Sequence, residues 1–424
     1  MASATDLPKD SFRLSMLIYD TRFRSVTIQV VVLVLFGLGV AWLLNNTVEN
    51  LAAKGRTFNF GFLWSRAGYD INQQLVSYTN DSTHFRALLV GLLNTLAVAI
   101  LGCIGATVLG VIVGVLRLSK NWLIGRIMTI YVEIFRNIPL LLWILIIFVP
   151  LSELAPEPRD FRATDEMIAA GEEPKASMLF GAVAITSRGT NMPAVLLDRP
   201  LGTVDIAGLS INLSLLAVLA VLAASIYVNR RIRARARAVQ EDTGVRPVIW
   251  WRSLLVLIVP TVALLAAMGF HLEYPELTKF NFKGGMELQH SFTALLIALV
   301  LYTGAFIAEI VRAGILAISK GQSEAAFALG LRPGRTMNLI ILPQALRVII
   351  PPLISQYLNL TKNTSLGIAV SYLDLRGTLG GITLNQTGRE LECMLLMMLI
   401  YLIISLIISS LMNLYNSSVQ LKAR

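Results

Sequence analysis

Apolar residues gather in eight long runs set apart by polar links: Val26–Leu44, Ala87–Leu116, Leu123–Val149, Val204–Val228, Val248–Phe270, Phe292–Ile318, Ala345–Tyr372 and Leu391–Leu414. A bilayer core of about 30 Å takes about 20 apolar residues of helix, so each run predicts one membrane-spanning helix. The first run follows Lys9, Arg13, Arg22 and Arg24, as the apolar stretch of a secretion signal would. Such a stretch covers about 7–15 residues and ends at a small-residue cleavage site. Here the run is longer and leads into Asn45-Asn46, so it reads as a retained span. The seventh run is interrupted by polar residues and by Pro351-Pro352. Proline lacks a backbone donor and its ring crowds the preceding turn, which predicts a kink there.

The polar links alternate in charge. Arg117, Lys120 and Arg126 flank the second link, and Arg230, Arg231, Arg233, Arg235, Arg237 and Arg246 crowd the fourth. Arg312, Lys320, Arg332 and Arg335 mark the sixth, and Lys422 and Arg424 close the chain. The links between these carry no such excess, so the positive-inside rule predicts that the basic links and both termini are cytoplasmic. The stretch from Leu151 to Thr203 then reads as an external excursion.

Composition sharpens this reading. Only 15% of residues are charged, against roughly 25% in soluble globular chains. That excludes an ordinary soluble enzyme, and disorder requires the opposite balance of charge and hydrophobicity. The net charge of +10 sits in short links where the positive-inside rule places it. No aromatic residue interleaves with Arg230–Arg237, so nucleic acid is not implied. That cluster is placed to meet anionic lipid headgroups, at roughly 1 kcal/mol per basic residue. Cys103 and Cys393 lie singly inside apolar runs, and His84, His271 and His290 are scattered. Neither a disulfide framework nor a metal site is readable from them.

Three constellations stand out. In SKGQSEAAFALGLRPGR, Ser319 and Gln322 have the spacing of a capping box, and Gly330 stands where a helix ends in a left-handed cap. Pro333-Gly334 turns the chain. The result is a short cytoplasmic helix whose Ala325, Ala326 and Ala328 another protein can approach closely. Secondly, Glu133 and Arg136, and likewise Glu309 and Arg312, are three residues apart and share a helix face. Each pair lies in the cytoplasmic third of its span, either neutralising buried charge or forming a charge network at a gate. Thirdly, Gln356, Asn359 and Asn363 recur on one face of the seventh span, beside Ser355, Lys362, Thr364 and Ser365. Lipid offers these groups no partners, so they should face the bundle or a wet cavity. A Lys near mid-membrane costs about 2.5–3.5 kcal/mol and is a functional candidate by default. Two roles stay open for this stripe, substrate contact or adhesion between helices. Glu390, where the last span begins, reads as a boundary residue. No GxxxxGK[ST] phosphate loop occurs, so ATP hydrolysis is not read from this chain.

Glu324-Ala325-Ala326, Gly330, Ile340 and Leu342-Pro343, at their spacing here, resemble the EAA loop of permease subunits of ATP-binding-cassette importers. GLLNTLAVAILG (Gly91–Gly102), RLSKNW (Arg117–Trp122), YVEIFRNIPLLL (Tyr131–Leu142) and KNTSLGIAVSYLDL (Lys362–Leu375) are similar to the polar amino-acid branch of these permeases. That branch has a five-span core. This chain adds the first span and a block over 151–290 containing the fourth and fifth. An inserted pair of spans preserves the orientation of every later span. The enlarged form resembles the first permease of general L-amino-acid importers of Gram-negative bacteria.

The resemblance implies an all-α polytopic membrane protein in which a five-helix type I importer core carries extra helices. Its parts are an N-terminal segment (1–85), core spans (86–150), the insertion (151–290), and further core spans with the coupling loop 319–343 (291–424). It also implies a second permease subunit, two ATPase subunits holding ATP and magnesium, a periplasmic amino-acid-binding protein, and a place in the bacterial inner membrane. Coupling falls to Glu324, Ala325, Ala326, Gly330, Ile340, Leu342 and Pro343, with no catalytic residue in this chain. The rival is an ion-coupled secondary amino-acid transporter. Such folds show paired halves with matching broken helices, which this sequence lacks.

Overall fold

The computed structural model describes residues 21–419 apart from 54, 56, 164–172, 207–208, 246 and 279. Lys9, Arg13, Arg246, Lys422 and Arg424, which bear on orientation, lie outside the described residues. The chain divides into two units, 1–62 and 63–424. The first contains helix α1 (Thr21–Ala53). Leu33, Leu35, Phe36, Leu38 and Trp42 are all exposed on it. A helix apolar on every side belongs in a membrane.

The second unit contains α2 (His84–Leu116), α3 (Trp122–Asn137), α4 (Leu140–Val149), α5 (Leu213–Thr243), α6 (Trp250–Ala267), α7 (His290–Leu316), α8 (Lys320–Ala328), α9 (Leu342–Asn363) and α10 (Glu390–Val419). Seven helices of the described chain have the length and hydropathy of a span, and eight if α3 and α4 make one broken span. The architecture is therefore helical and polytopic.

Two spans differ from expectation, and the seventh is helical through its two prolines. The third run is not one helix: α3 and the helical segment Leu140–Leu154 meet at 105°. Pro139 excludes its predecessor from the helical region, and Ile138 is extended at φ −104°, ψ 133°. The fourth run begins as a hairpin, β4 (Thr203–Ile206) with β5 (Leu209–Asn212), and its helix starts only at Leu213. Asn212 sets that start by accepting from Ser214 N at 2.9 Å and Leu215 N at 3.2 Å. The alternation in Thr-Val-Asp-Ile and Leu-Ser-Ile-Asn is the strand signal that run length hides. In the seventh span α9 runs unbroken through Pro351-Pro352. Both prolines are exposed. Irregular turns flank α9 instead, a wide π turn at Met337–Ile341 and a tight 3-10 turn at Thr364–Val370.

The stretch expected to be external folds into short antiparallel strands. A three-stranded sheet joins β1 (Ala184–Thr186), β2 (Gly189–Met192) and β9 (Met286–Leu288). Further pairs are β3 (Ala194–Leu197) with β6 (Phe270–Glu273) and β7 (Glu276–Leu277) with β8 (Phe282–Lys283). Pairing of β2 with β9 closes the insertion at its base, directly before α7. There the His290 ring Nε2 lies 2.7 Å from Thr186 O.

Helix α7 is the centre of the unit, with Leu295, Ala298, Leu299, Ile307 and Val311 buried in the main core. It packs against α2, α4 and α9. Two glycines of α2 permit the approach. A Cβ at Gly110 would stand 2.6 Å from Ile307, and one at Gly114 would stand 2.7 Å from Ala308 O. Membrane helices lack a hydrophobic drive toward each other and depend on such close backbone contact. Helices α5 and α6 pack mainly on each other, with Ser225, Asn229 and Ala236 buried on one face of α5.

Candidate functional site

The short helix expected between the sixth and seventh spans forms as α8. Ser319 takes the N-cap position, but its side chain makes no capping bond. The capping box is not formed: Gln322 instead accepts a hydrogen bond from Gln344 Nε2 at 3.3 Å, tying α8 to α9. The other end follows expectation. Leu331 N donates to Ala326 O at 3.0 Å and Gly330 N to Phe327 O at 2.9 Å. Gly330 is left-handed, at φ +74°. This is the paired-bond stop that glycine makes possible. Pro333 then opens a new helical turn that winds through the π turn into α9.

Ala325, Ala326, Ile340 and Pro343 consequently line one groove of ≈ 530 Å³, together with Gln322, Leu329, Leu339, Gln344 and Arg347. Ala326 is its buried floor, while Leu329 is 80% exposed at its edge. Glu324, Gly330 and Leu342 are also exposed, but they lie outside the groove lining. The loop thus presents an apolar-rimmed groove with Arg347 in its lining and Glu324 exposed beside it.

The polar stripe on α9 faces away from the subunit's own core. Ser355, Asn359 and Lys362 are exposed, and Gln356 and Asn363 half-buried. On the opposite side Ile349, Ile350, Ile354, Leu360 and Thr361 are buried. No hydrogen bond joins the side chains of Gln356, Asn359, Lys362 or Asn363 to another described residue. Among the described residues these polar groups therefore have no hydrogen-bonding partner, although lipid would offer them none. Thr364 and Ser365 differ from the rest. Thr364 is buried and its Oγ1 donates to Thr361 O at 2.9 Å; Ser365 Oγ donates to Lys362 O at 2.7 Å.

The charge pairs regroup. Arg312 Nη2 meets Glu309 Oε1 at 2.9 Å as the spacing predicts. Glu133 and Arg136 do not pair. Glu133 Oε2 accepts from Asn137 Nδ2 at 3.3 Å. Arg136 turns to Glu309, 3.9 Å away, and lies 5.3 Å over the ring of Phe306. Glu133 is taken by Asn137 on its own helix, and Arg136 is drawn across to α7 by both the Glu309 carboxylate and the Phe306 ring. Arg117, read from sequence only as a link charge, completes the group by bonding Glu309 through Nη1. Three helix ends thus converge on one carboxylate.

A second buried group escaped the sequence reading. Asp374 lies between α9 and α10 and is fully buried. It accepts from Gly377 N at 2.8 Å and from the Tyr401 hydroxyl at 3.3 Å. Thr95 Oγ1 accepts from Leu375 N at 3.0 Å, and Tyr372 donates to Asn94 O at 3.1 Å. Burial pushes the Asp374 carboxyl up to about 6, against the pull of these hydrogen bonds. The available signal was Asp before Leu-Arg-Gly, a helix-start residue in a capping position. Glu390 is exposed in the first turn of α10, while Glu392 is buried and paired to Arg389 at 3.2 Å. Among the described residues no group of His, Cys, Asp and Glu could hold a metal ion.

Residues 217–421 match the family described as binding-protein-dependent transport system inner membrane component. Over 426 residues and the full length of both chains, the sequence is 70% identical to the glutamate/glutamine/aspartate/asparagine transport system permease protein BztB of Rhodobacter capsulatus. It is 39% identical over 416 residues to the general L-amino acid transport system permease protein AapQ of Rhizobium johnstonii, covering 98% of this chain and 96% of that one. It is 40% identical over 387 residues to the putative amino-acid ABC transporter permease protein YhdX of Escherichia coli, covering 91% of each.

Proposed function

Because the chain belongs to the inner-membrane permeases of ATP-binding-cassette amino-acid transporters, we propose that it carries acidic amino acids and their amides inward, driven by ATPase subunits docked on α8. Its relatives are transport permeases, not enzymes, and its own residues bind, orient and transmit rather than catalyse. The substrate class rests on the relative named for glutamate, glutamine, aspartate and asparagine. The complex comprises this chain, a second permease, two ATPases that hold ATP and magnesium, and a periplasmic binding protein. Both termini face the cytoplasm from the bacterial inner membrane, a reading that the basic links support.

One observation carries the mechanism. The groove residues Ala325, Ala326, Ile340 and Pro343 join α8 to the foot of α9, and the exposed polar stripe stands further along the same helix. Helix α9 has 22 residues, so it is a rod of about 33 Å. Closure of an ATPase against α8 moves the foot of that rod, and the stripe moves with it. Glu324 and the apolar rim provide the docking contact. Gln356, Asn359, Lys362 and Asn363 provide amide and ammonium groups for the carboxylate and ammonium of a passing amino acid. Amides accept many zwitterions without fixing the side chain.

The test is uptake of labelled glutamate into proteoliposomes containing the whole complex and the binding protein. Uptake should require ATP on the ATPase side of the membrane and persist when ionophores collapse the ion gradients. Uptake that stops with the gradients while ATP remains would favour ion-coupled transport instead.

A further inference from the structure

Arg230, Arg231, Arg233, Arg235 and Arg237 of α5 are all exposed. Among the described residues no carboxylate lies within ion-pair distance of any of them. None stands in the last turn of α5, so they do not serve the negative end of the helix. Arg230 and Arg233, Arg233 and Arg237, and Arg231 and Arg235 are three or four residues apart. Each such like-charged pair weakens a helix unless an anion lies against it. Helix α5 nevertheless runs unbroken from Leu213 to Thr243. Its 31 residues make a rod of about 46 Å, against a bilayer core of about 30 Å. Counted from Leu213, the core is crossed after about 20 residues, near Arg233. The arginines therefore straddle the headgroup layer.

Aromatic residues mark the same layer, since Tyr and Trp collect at the membrane–water interface. The Tyr227 hydroxyl accepts from Arg231 Nη2 at 2.6 Å, and the guanidinium lies 5.2 Å over its ring. Trp250 and Trp251 are exposed in the first turn of α6, with Arg252 5.0 Å over the Trp251 ring. Arg231 is thus held by Tyr227. Arg230, Arg233 and Arg237 remain as an open ridge on one helix face. Guanidinium forks of this kind suit phosphate oxygens. Ser225, Asn229 and Ala236 take the buried side of α5, which holds no arginine. Helices α5 and α6 pack mainly on each other, so the core around α7 does little to hold the pair. We propose that the ridge binds the phosphodiester headgroups of anionic membrane lipids, and that the bound lipid seats the α5–α6 pair at the membrane surface. A lipid fits better than a soluble phosphate because the same helix, one turn deeper, already exposes Leu215, Leu216, Leu219 and Ile226 to acyl chains. The site is independent of which amino acid is carried.

The test is native mass spectrometry of the whole complex, released from detergent holding equal amounts of phosphatidylglycerol and phosphatidylcholine. The wild-type complex should retain phosphatidylglycerol in preference. Arg230→Gln, Arg233→Gln and Arg237→Gln together should lower that preference at least about tenfold. Lys at the same three positions should keep most of it, because the charge remains. Arg233→Gln alone should lower it severalfold, and decides the matter should the triple Gln variant fail to insert. Equal retention of the two lipids by the wild type, or an unchanged preference in the Gln variants, would overturn the lipid site. So would displacement of the lipid by inorganic phosphate, which would make the ridge a site for soluble anions. Nucleic acid that copurifies with the wild type and is lost from the Gln variants would overturn it as well.

Discussion

Asp374 accepts a hydrogen bond from the Tyr401 hydroxyl at 3.3 Å, and the bond ties the segment after α9 to the middle of α10. Both are buried or nearly so, and Asp374 has no ion-pair partner among the described residues. Burial holds its carboxyl up to about 6, from an ordinary value of 3.8. The folded state therefore binds this proton more tightly than the unfolded chain. Stability falls as pH rises from about 4 to about 6 and levels off above, by an amount of order 3 kcal/mol. Asp374→Asn should remove that slope while keeping an acceptor for Gly377 N. Thermal unfolding in detergent at several pH values measures it. An unchanged slope in the Asn variant would show that Asp374 does not titrate in this window.

Gly330 needs its left-handed backbone and nothing else. A Cβ there meets no atom within 4 Å, so Gly330→Ala adds conformational strain alone, about 1 kcal/mol. The variant should insert normally, loosen the end of α8 and weaken coupling. Uptake and stimulated ATP hydrolysis should fall together. Normal values of both would mean that the shape of this stop is not used.

Glu324 is exposed on α8 beside the groove. Glu324→Lys reverses one charge on the docking surface without touching the core. ATPase stimulation should drop severalfold while the amount of folded permease stays constant. Co-purification of the ATPase reads the same contact directly, and wild-type recovery in the variant would remove Glu324 from it.

Single cysteines along Pro352–Thr364 should react with a water-soluble thiol reagent on the Ser355/Asn359/Lys362 face and not at Leu360 or Thr361. Asn359→Leu should reduce transport with assembly intact. Labelling confined to the buried face would mean that the stripe points into lipid or a protein seam.

Gly110→Leu would drive a side chain into Ile307 and Gly304 at the tightest crossing of α2 and α7. Overpacking of this kind costs about 1–3 kcal/mol or more. The melting temperature in detergent should fall, whereas the same change at Gly37, which has no atom within 4 Å, should leave it unchanged.

Run length and charge alternation located the membrane helices because bilayer thickness fixes how many apolar residues a span needs. The same measure misread Val204–Asn212, where a hairpin and a helix share one apolar run. It also passed over Pro139, whose effect falls on Ile138 rather than on hydropathy. The coupling loop was legible because its signals are local: an N-cap position, a glycine stop and alanines between them. The arginine group was not legible, since Arg117 and Glu309 lie far apart in sequence and only the packing of α2 on α7 joins them. Asp374 was hidden for a similar reason. Its partner Tyr401 comes from the helix after it, and Thr95, which accepts from the adjoining Leu375 N, from one before it; a single acid between two spans looks like an ordinary link charge.

The bend at Ile138-Pro139 has a mechanical meaning. Two rigid arms joined near a right angle behave as a crank. Displacement of α4 along its own axis reaches α3 as a swing, not as a push. Arg136 sits on the last turn of the driven arm, beside the joint, so it would be carried along the axis of α4 and across its own. A small axial slip in one arm would thus aim or withdraw a positive charge sideways.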